Sequence, residues 1–303
     1  MSIIVEKVSK TYGKQFALRD VSFSIEPNEI VGFIGPNGAG KSTMMKIICG
    51  YLPPSEGTVK VNGIDVSEAP LKVRETIGYL PENNPLYHEM YVREYLEFVS
   101  GMLKIPNRET RITEIIKQTG LEAEKHKKIA ALSKGYKQRV GIAQALIHNP
   151  SVVILDEPTT GLDPNQILEI RNLISETGKG KTIMLSTHIM QEVEAICSRI
   201  IVINKGEIVA NDKAGNLKVQ TQGSFVTISV EFNAQVDIEK LNKIKGVVKA
   251  VNVKGSNYLL QSNVDNDIRP DVFQFAVESN LTVLALQKME QSLEEVFREL
   301  TKK

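Results

Sequence analysis

The sequence predicts an α/β fold built on a mostly parallel sheet, followed by a small α+β domain. Three observations carry this. The runs Ile30-Val31-Gly32-Phe33-Ile34 and Val152-Val153-Ile154-Leu155 are short and wholly apolar, the pattern of strands covered on both faces. A glycine-rich stretch directly follows the first run and opens a helical one. Near residue 215 the character changes, and Phe225 to Phe232 alternates, with Val226, Ile228, Val230 and Phe232 on one face. A chain of 303 residues suits about two domains, here residues 1–215 and 216–303.

The glycine-rich stretch organises the rest. Gly35-Pro36-Asn37-Gly38-Ala39-Gly40-Lys41-Ser42-Thr43 fits G-x-x-x-x-G-K-[ST], with Gly35, Gly40, Lys41 and Ser42 in the fixed slots. Glycines let backbone N–H groups turn inward, and a helix N-terminus favours negative charge. Lys41 would reach the β- and γ-phosphates of a nucleotide, and the Ser42 hydroxyl would ligate magnesium. With glycine near 7% of residues, a chance match has odds of roughly one in a hundred. The strand before and helix after lower those odds, so the stretch reads as a nucleotide site.

In chain order, Ile3 to Val8 and Ala17 to Ile25 read as strands. Between them a turn-like connection carries Tyr12. Helix Met44 to Cys49 stops at Gly50, with Pro53 and Pro54 beyond. Thr58 to Val61 is a strand before the Asn62-Gly63 turn. Ile77 to Leu80 is a strand and Val92 to Val99 a helix. Helices Arg108 to Thr119 and Lys134 to His148 follow, the second with Ser133 as N-cap and Pro150 past its end. Pro164 opens a helix with Ile167, Ile170 and Ile174 on one face, closed by Gly178. Thr182 to Leu185 and Ile200 to Ile203 complete the parallel set, and Glu207 to Ala210 returns from a turn. Beyond residue 216 the order is β-α-β-β-α-β, the ferredoxin-like arrangement, with a final helix bearing Leu293, Val296, Phe297 and Leu300 on one stripe. No nucleotide or metal motif falls there, so this domain reads as regulatory or as an interaction module.

Formal net charge is +1, so no overall field argues for nucleic acid or anionic lipid. Cys49 and Cys197 are the only cysteines and lie in apolar stretches. They read as core residues of a cytoplasmic protein rather than a disulfide framework. No run approaches the ~18 apolar residues that span a bilayer, and the N-terminus lacks a signal-peptide pattern. Any membrane role would therefore come through a partner. His88, His126 and His148 lack ligand spacing and read as surface histidines. Lys125 to Lys128 reads as a solvated face.

A second motif accompanies the loop. The apolar strand at 152–155 runs into Asp156-Glu157-Pro158 and delivers Asp156 to the carboxyl edge of the sheet, where ligands bind in open α/β folds. Asp156 can hold magnesium there, and Glu157 can orient or deprotonate an attacking water. With Leu132-Ser133-Lys134-Gly135-Tyr136 upstream, and Thr160-Gly161-Leu162-Asp163 and Ser186-Thr187-His188 downstream, residues 1–215 resemble an ATP-binding cassette (ABC) ATPase.

The resemblance implies a P-loop NTPase fold, with a RecA-like core, an antiparallel β subdomain and a helical subdomain. It implies ATP and Mg²⁺ as ligands, with Tyr12 stacked on adenine and the loop Gly35, Pro36, Asn37, Gly38, Ala39, Gly40, Lys41, Ser42 and Thr43 around the phosphates. Glu157 would be the catalytic carboxylate, aided by Lys41, and His188 the γ-phosphate switch. Ser133 and Gly135 would cap the ATP bound to a second copy, since such ATPases close head to tail, and Asp163 would be a further nucleotide-binding residue. The segment Asn83 to Tyr95 would receive a membrane permease. The Lys-Gly-Tyr signature and trailing domain look like the group serving ABC-2-type permeases, often exporters, and Pro81 to Tyr87 looks like gliding-motility subunits. The expected protein is the ATPase subunit of a transporter, a homodimer peripheral on the inner face of the cell membrane, without nucleic acid. A soluble ABC ATPase acting on ribosomes or DNA, or a regulatory nucleotide switch, is the alternative. Two positions depart from the family. Glu82 stands where glutamine is usual; it can still bind magnesium or water but cannot donate a hydrogen bond. Lys134 and Tyr136 replace the more frequent glycine and glutamine.

Overall fold

A computed structural model describes residues 1–213, 215–217, 225–263, 267–289 and 293–301. The chain divides into two compact units, one of Met1–Ala214 with Leu300–Lys303 and one of Gly215–Glu299.

The first unit contains two sheets. Strands β1 (Ile3–Tyr12), β2 (Gln15–Ile25), β4 (Glu56–Val61) and β5 (Ile64–Asp65) form an antiparallel sheet in the order β2-β1-β4-β5. The second sheet runs β10-β9-β3-β8-β7-β6, with β3 (Ile30–Ile34), β6 (Ile77–Leu80), β7 (Val152–Asp156), β8 (Thr182–Ser186) and β9 (Arg199–Asn204) parallel. β10 (Glu207–Asp212) is added antiparallel at its edge. The residues of β7 and β8 are buried throughout, which is why these strands read as continuous apolar runs rather than alternating ones.

Helix α1 (Lys41–Ile48) joins the two sheets. Its Met44, Met45, Ile47 and Ile48 share one core cluster with Ile3, Val5 and Phe23 of the antiparallel sheet and Phe33, Ile154 and Met184 of the parallel one. Helices α3 (Val92–Met102), α4 (Arg108–Gln118) and α5 (Lys134–Leu146) pack together. Arg111 ties α4 to the end of α5, donating from Nε to Ile147 O at 2.9 Å and from Nη2 to Leu146 O at 2.7 Å. A guanidinium suits these terminal carbonyls, which lack intrahelical donors. Arg93 links α3 to α4 by pairing with Glu109.

The second unit carries β11 (Phe225–Phe232), β12 (Val247–Lys254), β13 (Asn257–Asn263) and β14 (Val283–Met289) in the order β12-β13-β11-β14. Helices Ile238–Leu241 and Arg269–Glu278 lie between the strand pairs in sequence, giving the ferredoxin-like topology. Its core gathers the alternating Val226, Ile228, Val230 and Phe232 with Tyr258, Leu260, Val272 and Ala276. The Tyr258 hydroxyl accepts from Val236 N at 2.7 Å and donates to Val236 O at 2.8 Å, so its buried polar tip is satisfied.

Several elements differ from the sequence reading. β1 continues to Tyr12, so that residue ends a strand instead of riding a connection. α1 begins at Lys41, three residues early, because Gly40 rather than a polar side chain starts it. Two short helices were not anticipated, α2 (Pro70–Thr76) and α7 (Met190–Ile196). α2 buries only Val73 and has no apolar stripe to read. α6 (Pro164–Thr177) begins where Pro164 predicted, and Ile170 and Ile174 are buried.

Candidate active site

The loop between β3 and α1 turns on backbone that only glycine tolerates. Gly40 has φ of 108°, and a Cβ there would stand 2.6 Å from Ala17 O. No side-chain oxygen caps α1, and its first turn carries no acid. The N–H groups and positive dipole end of α1 are therefore not neutralised by the chain itself, the condition for holding an anion. Lys41 is 7% exposed and donates from Nζ to Gly35 O at 2.7 Å and Pro36 O at 3.3 Å. These carbonyls compensate the buried ammonium.

The acids stand at the end of β7. Asp156 is buried, and its Oδ1 accepts from Ser186 Oγ at 2.6 Å. The same Oγ accepts from Glu157 N at 2.9 Å. Ser186 is opposite Asp156 in the β7–β8 register, so the parallel pairing itself sets this bridge. Glu157 has φ of 51°, a left-handed conformation costing about 1–2 kcal/mol for a residue with a Cβ. Its carboxylate, 9% exposed, accepts at Oε2 from Thr160 Oγ1 at 2.9 Å and lies 2.8 Å from His188 Nδ1. Both contacts fall on one oxygen. His188 itself is exposed.

The loop and Glu157 face a common cleft of about 430 Å³, lined by Asn37, Gly38, Gly40, Lys41, Ser42, Thr43, Glu82, Glu157 and His188, with Ala17 and Thr160. Thus the glycine loop, Glu82, the carboxylate and the histidine, distant in sequence, are neighbours. Ala17 and Thr160 escaped the sequence reading as cleft residues. Thr160 lay within a recognised motif, while an alanine in a strand carries no chemical signal.

Other expected residues lie outside that lining. Gly35, Pro36 and Ala39 form the loop's frame. Asp156 is buried at the end of β7. Tyr12 is 53% exposed at the end of β1, with Lys10 Nζ 5.7 Å from its ring centroid. Ser133 caps α5, accepting from Tyr136 N at 3.4 Å, and Gly135 is packed against the Gln166 side chain. Asp163 caps α6, accepting from Gln166 N at 2.9 Å.

A second cavity, of about 480 Å³, opens beside α3 and is lined by aromatics including Tyr51, Tyr79, Tyr87, Tyr95 and Phe98. Tyr87 and Phe98 remain exposed, whereas Leu86 is buried. Burial pushes the Tyr95 phenol up to about 12, and its hydroxyl donates to Gln144 Oε1 at 2.5 Å. His148 corrects the expectation of a surface histidine. It is half-buried at the end of α5, with Nε2 3.1 Å from Ile77 O. Burial lowers its pKa, and Lys181 and Arg111 add to this, outweighing the Ile77 contact. Cys49 and Cys197 are free and buried, and burial raises both thiols, Cys197 to about 12.

Residues 18–160 match the family model described as ABC transporter, and residues 199–301 match that of the ATP-binding protein DrrA1-3-like C-terminal domain. The chain is 33% identical over 295 residues to the ABC transporter ATP-binding protein YxlF of Bacillus subtilis, covering 97% of each chain. It is 34% identical to the Nod factor export ATP-binding protein I of Rhizobium johnstonii, across 99% of this chain and 95% of that one. Among solved structures, a dimeric ATP-binding cassette in a post-hydrolysis state with ADP and Pi superposes with a TM-score of 0.64 at 31% identity, covering 70% of this chain and 98% of the other.

Proposed function

The chain belongs to the ABC transporter family as an ATP-binding, ATP-hydrolysing subunit, and on that premise we propose how its own residues carry the reaction. The observation that carries the reading is the Glu157 carboxylate, held at one oxygen by Thr160 and His188 in the cleft that the glycine loop lines.

The loop N–H groups, the α1 N-terminus and Lys41 bind the β- and γ-phosphates of ATP. Lys41 exchanges its carbonyl contacts at Gly35 and Pro36 for phosphate oxygens. Tyr12 offers its exposed ring to the adenine. Because Oε2 of Glu157 is already engaged, Oε1 is the oxygen that takes up the proton of a water attacking the γ-phosphate. His188 keeps the carboxylate turned toward that water and donates to the γ-phosphate.

The donor set fits Mg²⁺. Ser42, Asp156 and Glu82 would supply hard oxygen ligands, and among the described residues no cluster of three or more His, Cys, Asp or Glu forms an all-protein cage. Magnesium prefers one or two carboxylates completed by water and substrate phosphates. When bound it would neutralise charge between the β- and γ-phosphates.

Ser133, Gly135 and Asp163 do not line the cleft of their own chain, which supports a role at the nucleotide of a second copy. Ser133 at the N-terminus of the thirteen-residue α5 can offer a hydroxyl and the helix's positive end to a phosphate. Two copies therefore close around two ATP molecules. No helix among the described residues is long and apolar enough to cross a membrane. The aromatic cavity beside α3 is the docking place for a separate permease, which sets the subunit on the inner face of the membrane. The relative named for Nod factor export favours outward movement of cargo. Residues 216–303 form the regulatory or interaction domain. Steady-state Mg-ATP hydrolysis by the full chain tests the reading: turnover that falls ~10²–10⁴-fold in Glu157→Gln supports it, and unchanged turnover rejects it.

A further inference from the structure

We propose that Glu192, which lies in none of the nucleotide motifs, is a positioning residue for His188. Glu192 is in the first turn of α7 yet is only 2% exposed. An acid there ordinarily sits in solvent and gains modestly from the helix dipole. This one is buried without an ion-pair partner among the described residues, and its Oε1 has no hydrogen-bond partner. Burying a carboxylate so sparsely bonded is costly. It is the kind of local departure that marks a functional demand rather than a stability gain.

Its one side-chain bond among the described residues supplies the demand. Oε2 accepts from Thr187 Oγ1 at 2.8 Å, and Thr187 is fully buried. With its proton committed to Glu192, the Thr187 hydroxyl presents its lone pairs to Ile189 N, which donates to it at 3.1 Å. The residues on both sides of His188 are therefore tied, and the backbone of His188 is held between them. The three side chains of Ser186-Thr187-His188 each meet a different acid. Ser186 donates to Asp156, Thr187 to Glu192, and His188 Nδ1 meets Glu157 at 2.8 Å. Of these acids Glu157 lines the cleft, and Asp156 precedes it at the buried end of β7. The third, Glu192, is buried in the first turn of α7 and fixes the direction from which the imidazole approaches Glu157.

The proposal rests on the reading of Glu157 and His188 as the reacting pair, but its test does not depend on turnover alone. The chain has four histidines, so histidine-selective ¹⁵N labelling of the full chain gives a small set of imidazole signals, with His188 assigned by its loss in His188→Ala. In Glu192→Ala the His188 signal is expected to shift while those of His88, His126 and His148 stay. In Glu192→Gln, which keeps an acceptor for Thr187, it should stay in place. The same variants should show kcat lowered about tenfold for alanine and less than about twofold for glutamine, with ATP affinity unchanged. A general disturbance of all four signals would mean the alanine variant misfolds, and Thr187→Val then decides, with the same isolated His188 shift expected. An unmoved His188 signal, or glutamine as damaging as alanine, overturns the proposal. Failure of the intact chain to hydrolyse ATP would instead sink the function proposed above and leave the NMR result standing.

Discussion

His188 Nδ1 lies 2.8 Å from Oε2 of Glu157, although 31 residues separate them. The contact exists because β7 and β8 are parallel neighbours in the sheet, so the turns after both strands emerge at one edge. Glu157→Gln keeps the shape and loses the base. Its hydrolysis is expected to fall ~10²–10⁴-fold in a steady-state phosphate-release assay. His188→Ala is expected to lower kcat with a smaller change in KM, since the imidazole acts on the carboxylate and γ-phosphate rather than on the rest of the nucleotide.

Lys41→Ala removes the cation that folds onto Gly35 O and Pro36 O. Equilibrium titration with a fluorescent ATP analogue is expected to show loss of tight binding. Far-UV circular dichroism should remain native, because α1 is anchored by Met44, Met45, Ile47 and Ile48. Unchanged affinity would remove Lys41 from the phosphate site.

Glu82 lines the cleft where the family usually places glutamine. Glu82→Gln is expected to retain ATP hydrolysis and to alter its coupling to a permease, measured as the ratio of transport to turnover in reconstituted vesicles. Complete loss of hydrolysis would contradict this.

His148 makes stability depend on pH. Its folded pKa is lowered by burial from the ordinary value of 6.5. As pH falls through 6.5 the unfolded chain takes up the proton first, so stability is lost with acidification and is fully present above 6.5. Urea midpoints should fall between pH 7.5 and 5.5, and the fall should be smaller in His148→Gln. Equal slopes would show that His148 does not contribute.

Cys49 and Cys197 are buried, with both thiols raised. The native chain should leave an aromatic disulfide reagent unreduced, and denaturation should expose two thiols. Rapid reaction of the native protein would mean that one of these packing sites opens.

The parts legible in sequence were those where chemistry constrains residue type at fixed spacing. A loop of backbone N–H groups needs glycines before Lys41, and a strand delivering Asp156 and Glu157 to a sheet edge needs an apolar run. Ser133 and Pro164 were legible as helix starts because capping is local. Less visible were effects of tertiary placement. Nothing in the sequence marks the left-handed backbone of Glu157, the Thr160 bond to its carboxylate, or the burial of Glu192. Each depends on how β7 and β8 align. α7 was hidden by its length of seven residues, too short for a helical period to emerge. His148 reads as a surface histidine in the sequence, and it is Ile77 O on β6 that gives its ring a partner.

The central claim is that two copies clamp ATP between the Lys41 loop of one and the Ser133-capped helix of the other. Light scattering on Glu157→Gln, with and without Mg-ATP, tests it most directly. The account predicts that ATP doubles the mass of the full chain, and that adding Gly135→Asp abolishes the doubling while ATP still binds. A variant that binds ATP yet stays at the mass of one chain, or that still pairs with Gly135→Asp in place, would contradict it.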